Sequence, residues 1–376
     1  MLEVPARAEA RVHTAEIPAV PSPAIPPPGD DIPRALRQTT ADGLLSVVGS
    51  LVGSFCLVWL LYYDVLPLSG LIGFIICWYG AFLALLAGVT ALSHPRTVVV
   101  DRLMATAITG IATLVGFVLV TVVSYTFWRG HLALPHWNFY TQPASKGSLT
   151  GPFTRGGISN AIIGSLITVG MAITVSLPLG ISTAIFMTEI GGWFSRVVRT
   201  VVEAMTAIPD LLAGLFVYVV LILEFGGHRN GLAVSIALCV TMTPIIARSA
   251  EVALRVVPGG LREAGLALGA SHWQTVRRIV LPTALPGLAT ALILAVARCI
   301  GETSPLIIVS GFSIFANANP FDSQPMNSLP LYIYECIRSG QPTQITRGFA
   351  AAVVLLSMVF VLFITTRLLT RTRVAR

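Results

Sequence analysis

Charge is scarce in this chain. Asp, Glu, Lys and Arg make up 11% of its 376 residues, against about 25% in a soluble domain. Lysine is almost missing, since Lys146 in PASKGS is the only one. A phosphate-binding loop needs GxxxxGK[ST], whose lysine reaches the terminal phosphates, so this chain carries no such nucleotide site. The five cysteines, Cys56, Cys77, Cys239, Cys299 and Cys336, form no CxxC or Cys/His spacing that suggests a metal. Four of them lie in apolar runs, which leaves no intrachain disulfide framework, and they read as small core residues. No basic patch interleaved with aromatics points to nucleic acid. No apolar h-region follows the first basic residues, so a signal peptide is not expected.

Apolar length is abundant instead. Hydrophobic residues make up 55% of the chain and the mean hydropathy is +0.81. Several windows approach the ~20 apolar residues that cross a bilayer as a helix, far longer than the ~10-residue alternating strands of a membrane barrel. An all-α polytopic membrane protein is expected, with eight spans near 44–62, 71–92, 103–127, 158–187, 201–224, 231–253, 284–311 and 349–368.

Basic residues near span ends set the orientation. One set of loops holds Arg7, Arg11, Arg34, Arg37, Arg96, Arg102, Arg196, Arg199, Arg255, Arg262, Arg277, Arg278, Arg367, Arg371, Arg373 and Arg376. The other holds Arg129, Lys146, Arg155, Arg229, Arg338 and Arg347. That is sixteen against six, which predicts that both termini face the cytoplasm. The net charge of +7 then follows from topology.

Three regions follow. Residues 1–43, rich in proline (PAVPSPAIPPPGDDIP), read as a disordered cytoplasmic tail. Residues 44–94 read as a transmembrane hairpin with a short outer turn, YDVLPLSG. Residues 95–371 carry six spans. Pro178, Pro209, Pro244 and Pro305 fall inside spans, each removing a backbone donor, and such interruptions accompany substrate pathways.

The longest cytoplasmic loop, 257–282, reads VPGGLREAGLALGASHWQTVRRIVLP. Leu261, Ala264 and Leu268 recur at helical spacing, then Trp273, Val276 and Val280. The pattern predicts a short helix, a break at Gly269 and a second helix ending at Pro282. An exposed apolar stripe suits docking into a partner's groove, or else lying on lipid.

The remaining oddity is ARCIGETSPL, residues 297–306, in an otherwise apolar run. An arginine at a span's centre costs about 2.5–3.5 kcal/mol on insertion scales. Residues four apart share a helix face, so Arg298 and Glu302 can pair. Apolar replacement of a buried pair is often neutral or stabilising, so stability alone is a poor reason to keep it. The functional reading is that Arg298 offers its guanidinium fork to a crossing anion while Glu302 holds it between events. The structural reading is an ion pair locking this helix to a neighbour. Arg248, Glu251 and Arg255 form a possible charge ladder, with snorkelling as the alternative for Arg248. Asp210, in AIPDLLAG, is expected to cap the helix restarting after Pro209 and to pair with Arg248 or Arg298, or to be protonated.

These motifs resemble a known family. EAxxxLG, nine residues, then IxLP matches the coupling-loop signature of bacterial ABC importer permeases at Glu263, Ala264, Gly269, Ile279, Leu281 and Pro282. Gly265 stands where that family usually has alanine. ARxxGETxPL and SLPLYIY (328–334) are similar to the PstA family of phosphate importer permeases, as are GGISNAIIGS (156–165), PLGISTAIFMTE (178–189), GLFVY (214–218) and PIIARSAEVALRVVPGGLREA (244–264). The likeness covers about 95–371. Asp210 departs from the serine usual in PSxxxGLF.

The resemblance implies a six-helix type I ABC importer core with an N-terminal two-helix extension, in the bacterial plasma (inner) membrane. It implies a permease that moves phosphate into the cytoplasm, with Arg298 and Glu302 important for transport. It implies no cofactor in this chain, ATP and Mg being bound by a partner. Expected partners are a second, PstC-like permease, a pair of PstB-like ATPase subunits seated on the coupling loop at Glu263, and a PstS-like phosphate-binding protein docking at 128–157 and 312–347. The alternatives are a sulfate or molybdate permease sharing the coupling loop, and a signalling subunit that reports phosphate status.

Overall fold

The computed structural model describes residues 41–66 and 69–374, and among these every regular element is helical. Most of the expected tail therefore lies outside the described residues. Its last three positions, Ala41, Asp42 and Gly43, begin the first helix. The chain forms two compact units that divide between Val115 and Gly116, twenty residues beyond the boundary expected near 95.

In the first unit, α1 (Ala41–Trp59) continues through a wider turn, Leu60–Val65, and packs on α2 (Leu71–Ala91). Its interior is aromatic. Phe74 meets Phe55 and Tyr62 edge-on, and Trp78 Nε1 donates to Leu51 O. Tyr62 reaches the start of α2, its hydroxyl donating to Gly70 O at 3.0 Å. A Cβ on Gly73 would lie 2.4 Å from that hydroxyl, so glycine is what admits the tyrosine. The unit ends within α3 (Arg96–Gly130).

The second unit begins in α3 and holds the remaining helices. These are α4 (Trp137–Thr141), α5 (Ser159–Ile185, prolonged over Phe186–Ile190), α6 (Gly192–Ala207), α7 (Asp210–Val217, prolonged to Glu224) and α8 (Gly231–Arg255). Then come α9 (Gly259–Ala267), α10 (His272–Thr275), α11 (Leu281–Ile300), α12 (Ser304–Val309), α13 (Leu329–Arg338) and α14 (Pro342–Val374). The centre is α8 against α5. Small residues on α8 (Ala233, Ala237, Ala247, Ala250) are almost wholly buried. A Cβ on Gly180 of α5 would lie 2.6 Å from Ile246. Lipid gives no hydrophobic drive for helices to associate, so contact rests on such close backbone approach.

Among the described residues, seven helices are long and apolar enough to span a membrane, or eight if one bent pair counts as a span. That pair corrects the expected span 201–224. The chain turns by 99° between α6 and α7, at Ile208–Pro209. The expected span 284–311 also changes. Its helix starts earlier, running from His272 through Pro282 to Ile300 without a stop, and ends at Gly301–Thr303. The predicted end at Pro282 fails: the wider helical turns of Val276–Val280 lead directly into α11, and Pro282 follows them inside the continuous helix. Two expected proline breaks are likewise absent, since α5 runs through Pro178 and α8 through Pro244. Only Pro209 and Pro305 coincide with breaks.

Two motifs prove to pack on each other. A Cβ on Gly164 would lie 1.8 Å from Asn327 O, and Ser165 Oγ accepts from Leu329 N at 2.8 Å. GGISNAIIGS thus seats SLPLYIY, whose Leu329, Leu331 and Tyr332 are buried. Beside them Arg347, which the loop count placed outside, is a buried residue of α14. It donates to Pro152 O and Arg155 O at 2.9 and 3.0 Å and lies over the Phe153 ring.

Candidate functional site

The two breaks meet. Arg298 sits in the last turn of α11 and Asp210 is the first residue of α7. A cation at a helix C-terminus and an anion at an N-terminus each gain from the macrodipole, about 0.3–1 kcal/mol apiece. The two side chains join at 3.0 Å, Arg298 Nη2 donating to Asp210 Oδ2. Arg298 Nε also approaches Glu302 Oε1 at 3.4 Å. Glu302 lies beyond the end of α11, so this is not the mid-helix pair that the spacing suggested. Asp210 does not cap its helix either: Pro209 is the N-cap and the carboxylate goes to Arg298. One guanidinium is therefore shared by two carboxylates.

Beside this group lies a cavity of about 650 Å³. Arg298, Asp210, Thr206 and Thr241 supply its polar wall. Phe216, Val240, Ile245 and Leu212 supply much of the apolar remainder. Arg298 remains half exposed there. The cavity exists because α7 turns back on α12, and that contact needs Gly214: a Cβ there would lie 2.6 Å from Pro305 Cα. GLFVY and ETSPL, far apart in sequence, are thus two sides of one close contact.

Arg248 belongs to another cluster. Its Nη1 lies 3.1 Å from Glu203 Oε1 and 3.0 Å from Glu251 Oε2. Glu251, 1% exposed at its side chain, also takes Arg199 at 2.9 Å and Arg255 at 2.8 Å. The ladder on α8 is real, and α6 adds Arg199 and Glu203, which helical spacing on one element does not reveal. Glu189 and Arg262 were missed as well. They pair at 2.9 Å and tie α9 to the end of the α5 segment, with Arg262 also donating to Val257 O and Leu254 O.

The coupling residues fall on both sides of the predicted break. Gly269 has φ +82°, the left-handed geometry of a helix C-terminus. Glu263 and Ala264 are exposed on α9; Ile279, Leu281 and Pro282 follow α10 in the continuous helix. Ser271 opens that helix with a capping box to Gln274. The exposed apolar residues are Leu261, Leu266, Leu268 and Trp273, whereas Val276 and Val280 of the expected stripe are buried. Gly265 is no mere weak helix former. A Cβ there would lie 2.6 Å from Ile279 Cδ1, so glycine lets α9 press on the following segment.

A multi-pass helical bundle with a broken, charge-lined centre and an exposed pair of short helices defines a membrane permease. The family model for the inner membrane component of binding-protein-dependent transport systems matches residues 176–374. The phosphate transport system permease protein PstA of Mycobacterium leprae is 37% identical over 242 residues, 64% of this chain and 79% of that one. PstA 1 of Mycobacterium tuberculosis is 36% identical over 232 residues, 61% and 75% respectively. The solved structure of a bacterial alginate ABC transporter shares the fold with a TM-score of 0.51 at 15% identity, covering 73% of this chain and 96% of that one. The chain belongs to the binding-protein-dependent transport system inner membrane components, and among them to the PstA permeases.

Proposed function

We propose that this chain is the membrane subunit through which an ATP-driven importer moves inorganic phosphate into the cytoplasm, with Arg298 as the residue that meets the anion. The observation that carries this is Arg298 held between Asp210 and Glu302 at two facing helix breaks, beside an open cavity. Lipid-depth backbone without helical partners is tolerated where it lines a passage. A half-exposed guanidinium there offers donors that match phosphate in a bidentate way. Phosphate at neutral pH also carries at least one O–H, which either carboxylate can accept. Sulfate has none to give, and that favours phosphate over the sulfate reading.

ATP hydrolysis falls to a separate subunit, since this chain has no P-loop lysine. We place that subunit against Leu261, Leu268 and Trp273 at the α9–α10 corner, with Glu263 at the contact. A second, PstC-like permease and a PstS-like phosphate-binding protein complete the assembly. Both termini face the cytoplasm, in keeping with the arginine bias. The segments 128–157 and 312–347 receive the binding protein, and the α1–α2 hairpin is an addition to the six-span core.

The test is uptake of labelled phosphate by vesicles holding the whole complex, native against Arg298→Gln. Loss of uptake with assembly and binding-protein docking intact supports the reading. Normal uptake makes the trio structural.

A further inference from the structure

We infer that the concavity between the start of α6 and the α9–α10 corner binds a phosphoryl anion, at a site separate from Arg298. It has a volume of about 730 Å³. Basic groups enter it from four elements: Arg196 and Arg199 of α6, Arg255 of α8, Arg262 of α9 and His272 of α10.

The charges do not balance. In this wall and the cluster behind it, the guanidiniums of Arg196, Arg199, Arg248, Arg255 and Arg262 face the carboxylates of Glu189, Glu203 and Glu251. Five positive groups meet three negative ones. Glu251, 1% exposed, is enclosed behind the arginines, while Glu189, 4% exposed, reaches the wall of the concavity but is taken there by Arg262 at 2.9 Å. Three guanidiniums already share Glu251, and Arg255 spends a single hydrogen bond on it. Among the described residues, the side chains of Arg196 and His272 make no hydrogen bond or ion pair, and both are exposed. A guanidinium has five donors in a fixed fork, so Arg196 and Arg255 keep most of theirs, while Arg262 is largely engaged by Glu189, Val257 O and Leu254 O.

The backbone adds to the same sign. Gly191 and Gly192 both have positive φ, +67° and +83°, and nothing lies within 4 Å of either would-be Cβ. They open the N-terminus of the sixteen-residue α6, whose first N–H groups have no side-chain cap. Unsatisfied N–H groups and the positive end of the helix dipole draw an anion to this spot. A guanidinium fork pairs with carboxylate and phosphate alike, and several forks converging on one spot can share an anion that has more oxygens than a carboxylate's two.

Two sources supply that chemistry, free inorganic phosphate and the headgroup of an acidic phospholipid. Since Arg262 and His272 lie on α9 and α10, an occupant stiffens the joint between the coupling helices and the membrane bundle. That consequence rests on the proposed transport role; the binding itself does not.

The test is equilibrium binding of radiolabelled inorganic phosphate to the full chain in lipid nanodiscs, with Arg298→Gln present throughout to silence the central site. In discs of phosphatidylcholine alone we expect saturable binding. Adding Arg196→Gln and His272→Gln, which remove no structural bond, should weaken it at least about tenfold, equivalent to about 1.4 kcal/mol. Discs containing phosphatidylglycerol separate the sources. Unchanged phosphate binding there identifies the free ion as the ligand, and suppressed binding identifies the lipid headgroup. Absence of saturable binding in phosphatidylcholine, or equal affinity with and without Arg196 and His272, overturns the inference. Neither result bears on whether Arg298→Gln abolishes uptake.

Discussion

Arg298 and Asp210 stand eighty-eight residues apart and meet at 3.0 Å, each at the end of a broken helix. In the transport role proposed above, the Asp210 carboxylate occupies the guanidinium in the absence of substrate and repels any anion that lacks a proton to share. Asp210→Asn keeps the size and removes the charge. Sulfate should then inhibit labelled phosphate uptake, with an inhibition constant at least about tenfold lower than for the native complex, because a polar site discriminates through groups left unpaired or repelled. Equal sulfate inhibition in both would mean that Asp210 does not face the anion.

Gly214 governs that meeting from a distance. Alanine there would put a methyl 2.6 Å from Pro305 Cα, where only backbone can give way. The shift moves α7, and Asp210 with it, away from the end of α11. Gly214→Ala should cut phosphate uptake by about tenfold or more, as misplacement by about 1 Å can. ATPase stimulation through the coupling helices should persist. Uptake at the native level would show that the α7–α12 contact yields without disturbing the trio.

Glu251 holds Arg199, Arg248 and Arg255 while being itself almost fully buried. Glu251→Gln leaves three guanidiniums facing a neutral amide and should cost about 3 kcal/mol of stability, in the range for breaking a buried pair. Glu203→Gln breaks a contact in which both side chains are about half exposed, and should cost under about 1 kcal/mol. Thermal unfolding of the purified protein, followed for both variants, checks the order. A Glu203 variant as unstable as the Glu251 variant would contradict it.

Cys336 lies on α13, buried beside Tyr332 and Arg347. Burial pushes its thiol up to about 11, so at neutral pH the reactive thiolate is depleted about 100-fold relative to an ordinary cysteine. Alkylation by a maleimide at pH 7 should therefore be slow in the folded protein, accelerate as pH rises toward 11, and become fast on denaturation. Prompt labelling of Cys336 in the folded state would place that helix in a looser environment.

What the residues show on their own is set by short-range rules. Hydropathy over twenty positions reveals the bundle because lipid demands it, and this holds without knowing a single contact. The break at Gly269 was readable because only a left-handed residue ends a helix that way, and φ +82° agrees. The oddness of Arg298 and Glu302 was readable because charge in an apolar run is costly. Proline was a poorer guide. Pro178 and Pro244 lie within continuous helices while Pro209 and Pro305 mark breaks, since a lost hydrogen bond is tolerated or not according to what packs beside it.

The tertiary structure alone decided which charges meet. Helical spacing could pair Arg298 with Glu302 and Arg248 with Glu251, and the sequence offered Asp210 to either arginine, but only the fold gave it to Arg298. Nor could spacing bring Arg199 to Glu251 or Arg262 to Glu189, because those contacts cross between helices whose order in space no local pattern records. The same holds for the 99° turn at Pro209, which depends on Gly214 fitting against Pro305. Membrane residence was written in composition, since solvation acts on each residue separately; the site was decided by packing, since an ion pair needs two side chains brought within about 4 Å.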